Sequence, residues 1–382
     1  MSQTLRGRAA FAAITSGIVV TALAVAAPAD AATPSTGTPT VRVVASGLNS
    51  PRHMTFGPGG LYVTEAGTGG NSCVTAYGST LCEGESGSVA LVSPFGTFTV
   101  LSGLPSVADP ESTSGPAAVT FDKGQLAVLM QGATAAQGPG TQALGKLLLA
   151  HPLASSSGWT FAADFAAFAV ANPQDPATIG GFPGDVEDPT DSDPYAIVPF
   201  RGGYAVADAA ANDVLWLSPS GSLSILTRLP TIPMQYDGQT IDAQAVPSSV
   251  AVGPDGALYI GTLPGLPALP GTSVIYRLVP GQQPTVAAKG LTTVTDIAFD
   301  HEGNLLALEF NTGGLFAPPS TPGALVRVDL RTGTSTTLPV SGLFNPTGLA
   351  VGPDGAAYIA NDGDAGPGAG QVLRISGLGG RD

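Results

Sequence analysis

Apolar residues along this chain fall in short runs, rich in Val, Leu, Ile and Ala, broken by clusters of Gly, Pro and Asp. Runs of that length bounded by turn residues predict strands rather than helices. The pattern also repeats. VAVGPDGALYI at Val250–Ile260 returns as LAVGPDGAAYI at Leu349–Ile359, and four weaker copies are MTFGPGGLYV (Met54–Val63), VTFDKGQLAV (Val119–Val128), IVPFRGGYAV (Ile197–Val206) and IAFDHEGNLLAL (Ile297–Leu308). Each copy is a strand, a turn containing Gly and a second strand, the Gly supplying the positive φ that tight hairpins need. A unit that recurs about every 50 residues marks a repeat architecture.

A second hairpin follows each first one, as in Ser88–Leu101, Lys146–Phe161, Asp213–Leu226, Ser273–Ala288 and Ala324–Leu338. The last copy holds only Gln371–Ile375 before the chain ends, one strand short, while Val41–Gly47 is a spare strand ahead of the first copy. The predicted fold is therefore all-β: a six-bladed β-propeller of four-stranded antiparallel blades, the last blade completed by the N-terminal strand. Such closure removes the unpaired edges of an open array. Pro stands three positions before the first strand residue in five copies (Pro51, Pro116, Pro194, Pro247, Pro346), with Val294 in the other. Pro suits that point because it opens the strand and has no N–H to give to the ladder.

Propeller blades meander, so the repeat sorts loops by face. The turns within each hairpin are short and lie on one side. The insertions Ala66–Gly87, Gln131–Gly145, Ala162–Asp193, Pro230–Val246, Thr262–Thr272 and Glu309–Gly323 all fall on the other. Long loops on a rigid scaffold are where binding sites concentrate. In one of them Phe161, Phe165 and Phe168 are spaced for a short amphipathic helix ending before Pro173.

Composition changes this picture in two ways. Arg6 and Arg8 precede an uncharged stretch, Ala9–Ala29, and small residues surround Asp30, which predicts a secretory signal over residues 1–32. Residues 33–40 are then a disordered linker, 41–378 a single propeller and 379–382 a tail. No further segment is apolar enough to span a membrane once the signal is removed. The expected product is secreted and monomeric. Loss of the signal leaves 12 basic and 27 acidic side chains. That balance excludes nucleic acid as a partner and suits cations or a neutral or basic molecule. In an exported chain, Cys73 and Cys82 predict a disulfide, which contributes about 2–3 kcal/mol by loop-closure entropy.

Several segments together resemble the ScyD/ScyE family, which is related to NHL-repeat propellers. They are Ala45–Gly70, the Cys-bearing insertion, the aromatic segment before Asp191–Val198, Val246–Gly261, and Val294–Gly303 with Gly323–Asp329. The resemblance runs in order along almost the whole predicted mature chain. It implies the propeller fold and export, and it brings no reaction with it.

Candidate chemistry gathers on the loop-rich side. Second strands end in Glu65, Asp208, Glu309 and Asn361, and first strands begin beside Arg52-His53 and Asp296. In a propeller these points surround the mouth of the central channel. Glu65, Asp208, Asp296, Glu309 and Asn361 are a candidate set of hard oxygen ligands, and Ca2+ is the one cofactor they suit. Six-bladed lactonase and gluconolactonase propellers, to which the predicted fold is similar, hold a catalytic metal at that mouth. The same residues can equally bond backbone N–H groups of adjacent turns. His53 with Glu65 is either an acid–base pair or a strand-crossing hydrogen bond, and Arg52 can meet a ligand anion or a carboxylate of the chain. The acidic run Asp185, Glu187, Asp188, Asp191, Asp193 lacks EF-hand spacing. There is no G-x-S-x-G elbow, no H-E-x-x-H and no phosphate-binding fingerprint. The sequence thus points to a secreted, non-catalytic propeller binding a small ligand or a protein on its loop-rich face. A metal-dependent, lactonase-like hydrolase is the alternative.

Overall fold

The computed structural model describes residues 38–76, 79–110, 112–132, 142–152, 158–181, 187–318 and 320–379. The predicted signal segment lies outside them, as do most of the linker and the end of the tail. The described chain is a six-bladed propeller. Blade 1 is built on Pro51–Gly57, Gly60–Glu65, Ser79–Ser93 and Gly96–Ala108, and blade 2 on Pro116–Asp122, Gln125–Met130, Lys146–Ala150 and Trp159–Asp164. Blade 3 comprises Pro194–Phe200, Gly203–Asp208, Asp213–Leu217 and Leu223–Arg228, and blade 4 Pro247–Val252, Leu258–Thr262, Ser273–Leu278 and Thr285–Leu291. Blade 5 comprises Val294–Phe299, Leu305–Glu309, Ala324–Asp329 and Thr334–Thr337. Blade 6 takes Gly348–Val351, Ala357–Asn361 and Gly370–Ser376 from the C-terminal end and Thr40–Leu48 from the N-terminal end. In that closing pair Val41 lies opposite Ile375 and Val43 opposite Leu373.

The strands read as apolar runs because both faces of most blades are covered. Six apolar clusters are present among the described residues, and each joins two consecutive blades. Tyr62, Val89 and Leu101 of blade 1 meet Val119 and Val128 of blade 2, and Val206 and Leu215 of blade 3 meet Leu129 and Leu147. The series ends where Met54, Val63 and Ala90 of blade 1 pack on Ala360 and Val372 of blade 6, with Ala45 and Leu48 from the N-terminal strand. Each innermost strand packs on the next, and the sixth on the first.

In four blades the first strand begins on the proline rather than three residues later, while in blade 6 it begins at Gly348, two residues after Pro346. Pro51, Pro116, Pro194 and Pro247 each open a strand, and the ladder slips immediately after them. A residue with no N–H to donate marks the place where pairing is irregular, and a bulge re-aims the next side chains.

The VGPDG turns are built alike. Gly256 and Gly355 have φ of +74° and +73°. Asp255 accepts both Arg277 Nε and NH2 at 2.7 Å, and Asp354 accepts Arg374 Nε at 2.8 Å and NH2 at 2.7 Å. The turn carboxylate thereby ties the first hairpin to the third strand of its own blade.

Three insertions are more ordered than loops. Ser72–Ala76 pairs with an extended Ser79–Ser93, placing Cys73 opposite Cys82, and these two form the disulfide. Ile232–Tyr236 and Gln239–Ala243 form a separate hairpin between blades 3 and 4. The aromatic segment is helical only over Phe165–Ala171, capped by Asp164, whose carboxylate accepts the Ala167 N–H at 2.9 Å. Phe161 belongs instead to the outer strand of blade 2 and is exposed, while Phe165 is fully buried. Strand pairing with Leu148 claims Phe161 before the helical period begins.

Candidate functional site

The second-strand termini share one local task. Glu65 Oε2 accepts the Asn49 N–H at 2.7 Å, and its Oε1 accepts the Ser88 hydroxyl at 2.9 Å. Glu309 Oε1 accepts the Thr292 N–H at 2.7 Å, and Asn361 Oδ1 accepts the Phe344 N–H at 2.9 Å. Asp208 Oδ1 accepts N–H groups of Asp193 and Ala211 at 2.7 and 3.1 Å, and its Oδ2 accepts the Ser192 hydroxyl. In each case the acceptor pins the crossover that leads into its own blade's first strand. Bonds from backbone N–H to a carboxylate are among the stronger ones in a protein.

Four of the five candidate metal ligands are therefore committed to backbone groups of four different blades. Among the described residues no three His, Cys, Asp or Glu side chains come together in a way that could hold an ion. Ca2+ asks for six to eight oxygens, and this donor set does not fit it. Glu309→Gln keeps an oxygen facing the Thr292 N–H and is expected to cost less than about 1 kcal/mol, whereas Glu309→Ala orphans that donor and costs about 1–3 kcal/mol. Urea midpoints of the two variants decide it.

The fifth candidate, Asp296, stands apart. His53 Nδ1 lies 3.3 Å from Asp296 Oδ2, and the two residues are only 6% and 5% exposed. His53 thus pairs with Asp296 rather than with Glu65. Both occupy the third position of their blade's first strand, counted from Pro51 and Val294. The same position in the other blades holds Ala118, Ala196, Ser249 and Gly348, all small. Blade 6 stands between blades 5 and 1, so the pair reaches across it. Gly348 makes this possible, because a Cβ there would press into the Arg52 carbonyl oxygen and sit 3.0 Å from His53 Cα.

At 3.3 Å the contact has ion-pair geometry, but burial governs both partners. It pushes Asp296 up to about 8, against N–H donors from Leu349 and Ile297 at 2.7 and 2.8 Å. Burial, aided by the charge of Arg52, pushes His53 down to about 3. Burial thus favours the neutral form of each partner. Among the described residues His53 Nε2 has no hydrogen-bond partner, and the ring meets Tyr195 edge-on at 5.2 Å.

Both terminal nitrogens of Arg52 are occupied. Its NH1 donates to Gly363 O at 2.8 Å, and its NH2 donates to Thr113 O at 3.0 Å and Asp364 Oδ1 at 2.8 Å. The guanidinium clasps a blade 6 loop to the crossover between blades 1 and 2.

Sequence reasoning assigns Asp193 no separate role. In the structure its Oδ1 accepts the Gly132 N–H at 2.9 Å, and burial together with the neighbouring Asp208 pushes it up to about 7. Burial raises Asp208 to about 6. Asp193 lines a cavity of about 300 Å³ with Asp109, Ser112, Gln131 and Asp191. The neighbouring acidic residues make local turns: Asp188 accepts the Thr190 N–H and hydroxyl, and Asp191 the Ser192 N–H. Asp185 lies outside the described residues.

These raised carboxyls bind protons more tightly in the folded than in the unfolded chain. Their contribution to stability is full below about pH 4, the unfolded carboxyl range, and is lost as pH rises through 6, 7 and 8. His53 works in the opposite direction, losing stability only as pH falls below about 6.5. Between about pH 6.5 and 8.5 the carboxyls act alone, so the melting temperature is expected to fall with rising pH. Asp296→Asn should flatten that slope, and an unchanged slope in thermal melts would refute the assignment.

Neither a family model nor a curated protein matches the chain. Solved structures do. A glucose-dehydrogenase-type oxidoreductase from Thermus thermophilus is similar over 88% of this chain and 99% of its own, at 16% identity and a TM-score of 0.51. A glucose dehydrogenase matches over 90% and 100%, at 13% identity and 0.51. A structural-genomics target assigned as a gluconolactonase matches over 88% and 92%, at 12% identity and 0.49. At such identities the likeness is one of fold, and the fold shared is the six-bladed propeller.

Proposed function

We propose that this chain is an exported propeller of the ScyD/ScyE type, acting as a non-catalytic scaffold that binds a small ligand or a protein through its insertions. The observation that carries the reading is a groove of about 740 Å³ whose lining includes Gln174, Thr178, Asn212, Arg228, Thr231 and Asp242. Most of these residues come from the insertions around the helix and the extra hairpin, so the groove exists because of what is added to the repeat. Its polar lining suits a ligand that hydrogen-bonds, and the acidic balance of the chain favours neutral or basic molecules. Export is supported by the Cys73–Cys82 bridge, and no helix among the described residues is long and apolar enough to cross a membrane.

A lactonase-like reaction would require oxygen ligands or a free nucleophile at the strand termini, and those oxygens are held by backbone N–H groups. The test is a thermal-shift screen of neutral oligosaccharides and basic peptides, repeated on Asp242→Arg. Compounds that stabilise the wild type are expected to lose that effect in the variant. A screen without hits, or hits indifferent to Asp242→Arg, overturns the reading.

A further inference from the structure

The polar groups that line the groove of about 740 Å³ divide by whether the protein itself uses them. Asn212 and Gln174 are spent. Asn212 Nδ2 donates to Gln244 Oε1 at 3.1 Å, its Oδ1 accepts the Val246 N–H at 2.9 Å, and Gln174 Nε2 donates to Ala210 O at 3.0 Å. The Thr178 hydroxyl donates to Asp175 O at 3.0 Å. These side chains frame the groove. A ligand meets what they leave over, which is the Arg228 guanidinium and the Asp242 carboxylate, with the uncharged Thr231 and Gln283.

Arg228 is held in place without being neutralised. It ends the last strand of blade 3, and its NH2 donates at 2.6 Å to the carbonyl of Asn172, the C-cap of the helix. Its Nε stands 4.0 Å from Asp213 Oδ2, the outer limit of an ion pair. Burial holds Asp213 well above the usual carboxylate range, which leaves little negative charge behind the arginine. Arg228 NH1 has no partner among the described residues. Arg277 and Arg374, by contrast, each spend two nitrogens on one carboxylate. Asp242 is the counterpart. Its backbone is fixed, paired with Pro233 in the extra hairpin and accepting the Gly181 N–H at 3.0 Å. Its side chain belongs to an exposed residue and has no partner among the described residues. Residues 229–231 lead straight from the strand of Arg228 into that hairpin, which brings both charges to one groove.

We propose that the groove binds a short peptide with both termini free, its carboxylate on Arg228 and its ammonium group on Asp242. The proposal rests on the reading of this groove as the ligand site and names the class of ligand. One cation and one anion in the lining select a dipolar molecule. A purely anionic ligand meets Asp242 and the acidic balance of the chain, and a purely cationic one meets Arg228. A guanidinium suits a carboxylate, and a carboxylate an ammonium group, because both contacts are charge-assisted hydrogen bonds. Peptide groups between the termini match the Thr231 hydroxyl and the Gln283 amide, each of which can donate and accept. The volume lies in the range of small-molecule sites. A tripeptide, about 10 Å long when extended, is a suitable probe length.

The probe is trialanine, titrated by calorimetry into the signal-free chain beside N-acetyl-trialanine and trialanine amide. We expect saturable one-to-one binding of trialanine, with each blocked peptide about tenfold weaker, the loss of one charge-assisted contact. The variants assign the ends. Arg228→Gln should bind trialanine and its amide equally while still preferring trialanine to the acetylated peptide, and Asp242→Asn should do the reverse. Absence of saturable trialanine binding, equal affinity for the blocked peptides, or a variant that keeps the preference assigned to its residue overturns the proposal. Should Arg228→Gln not fold by circular dichroism, the blocked peptides and Asp242→Asn still decide. Neutral oligosaccharides that stabilise the wild type but not Asp242→Arg, in a chain that ignores trialanine, would remove the peptide and leave the groove reading standing. A chain that answers to neither loses both.

Discussion

Removing residues 38–48 is expected to make the protein aggregate. Thr40–Leu48 is the outer strand of blade 6, paired along its length with Gly370–Ser376. Without it the Gly370–Ser376 edge presents free N–H and C=O groups to other chains. The loss also strips Ala45 and Leu48 from the cluster that joins blade 6 to blade 1. Burying a Leu contributes about 1.5–3 kcal/mol and the smaller residues less, so with the ladder included the change takes a large share of the roughly 5–15 kcal/mol that holds most domains together. The measurement is size-exclusion chromatography with thermal melts, followed by addition of a peptide spanning Thr38–Ser50. The truncated chain should elute as larger species than the intact one and melt well below it, and the peptide should reverse both changes. A truncated chain with the elution and melting temperature of the intact protein would show that the ring does not depend on strand exchange.

The repeats make the ring legible from sequence, because each blade needs the same turn at the same place. Gly256 and Gly355 are required by their positive φ, and the prolines recur where a strand opens. The insertions are legible in position but not in form. The hairpin between blades 3 and 4 carries its own signal: Asp237-Gly238 have φ of +48° and +74°, between two short strands. A D-G pair of this kind is a strong hairpin marker, obscured in sequence by the short strands of mixed polarity around it. The helix starts later than the aromatic spacing predicts, because Phe161 has helical spacing but a strand partner.

The central pair is less accessible. His53 and Asp296 each stand out in the sequence, but in different roles, and they are separated by most of the chain. What unites them is ring closure and the absence of a side chain at Gly348. Neither fact is local. Superposing the six first strands does recover the layer of His53, Ala118, Ala196, Ser249, Asp296 and Gly348, and with it the one position where two large polar residues face a glycine. The strand-terminal carboxylates teach the converse. Oxygen-bearing residues at equivalent positions resemble a ligand set in sequence, yet equivalence in a repeat also means that each blade can use its own copy for its own crossover.

Arg52→Met is expected to cost about 3 kcal/mol of stability, towards the low end for removing one member of a buried pair. Arg52 is 4% exposed, so its stem packs in the seam, and Met retains most of that contact. What disappears is the fork to Gly363 O, Thr113 O and Asp364. Two carbonyls lose a charged donor, while Asp364, with a side chain 28% exposed, can turn to water and soften the loss. Arg52→Lys should fall between, since a single ammonium cannot reproduce the planar fork. Pairing Arg52→Met with Asp364→Ala should give less than the sum of the single effects, as residues in direct contact do. The experiment also separates the two roles open to this arginine. A clasp registers in the urea midpoint of the free protein; a ligand anchor would leave stability within about 0.5 kcal/mol, the range of surface substitutions, and act only on binding. Its three partners belong to the loops on either side of blade 1, so the cost should appear as earlier opening of that seam, with hydrogen exchange rising first at Gly348–Val351 and Pro51–Gly57.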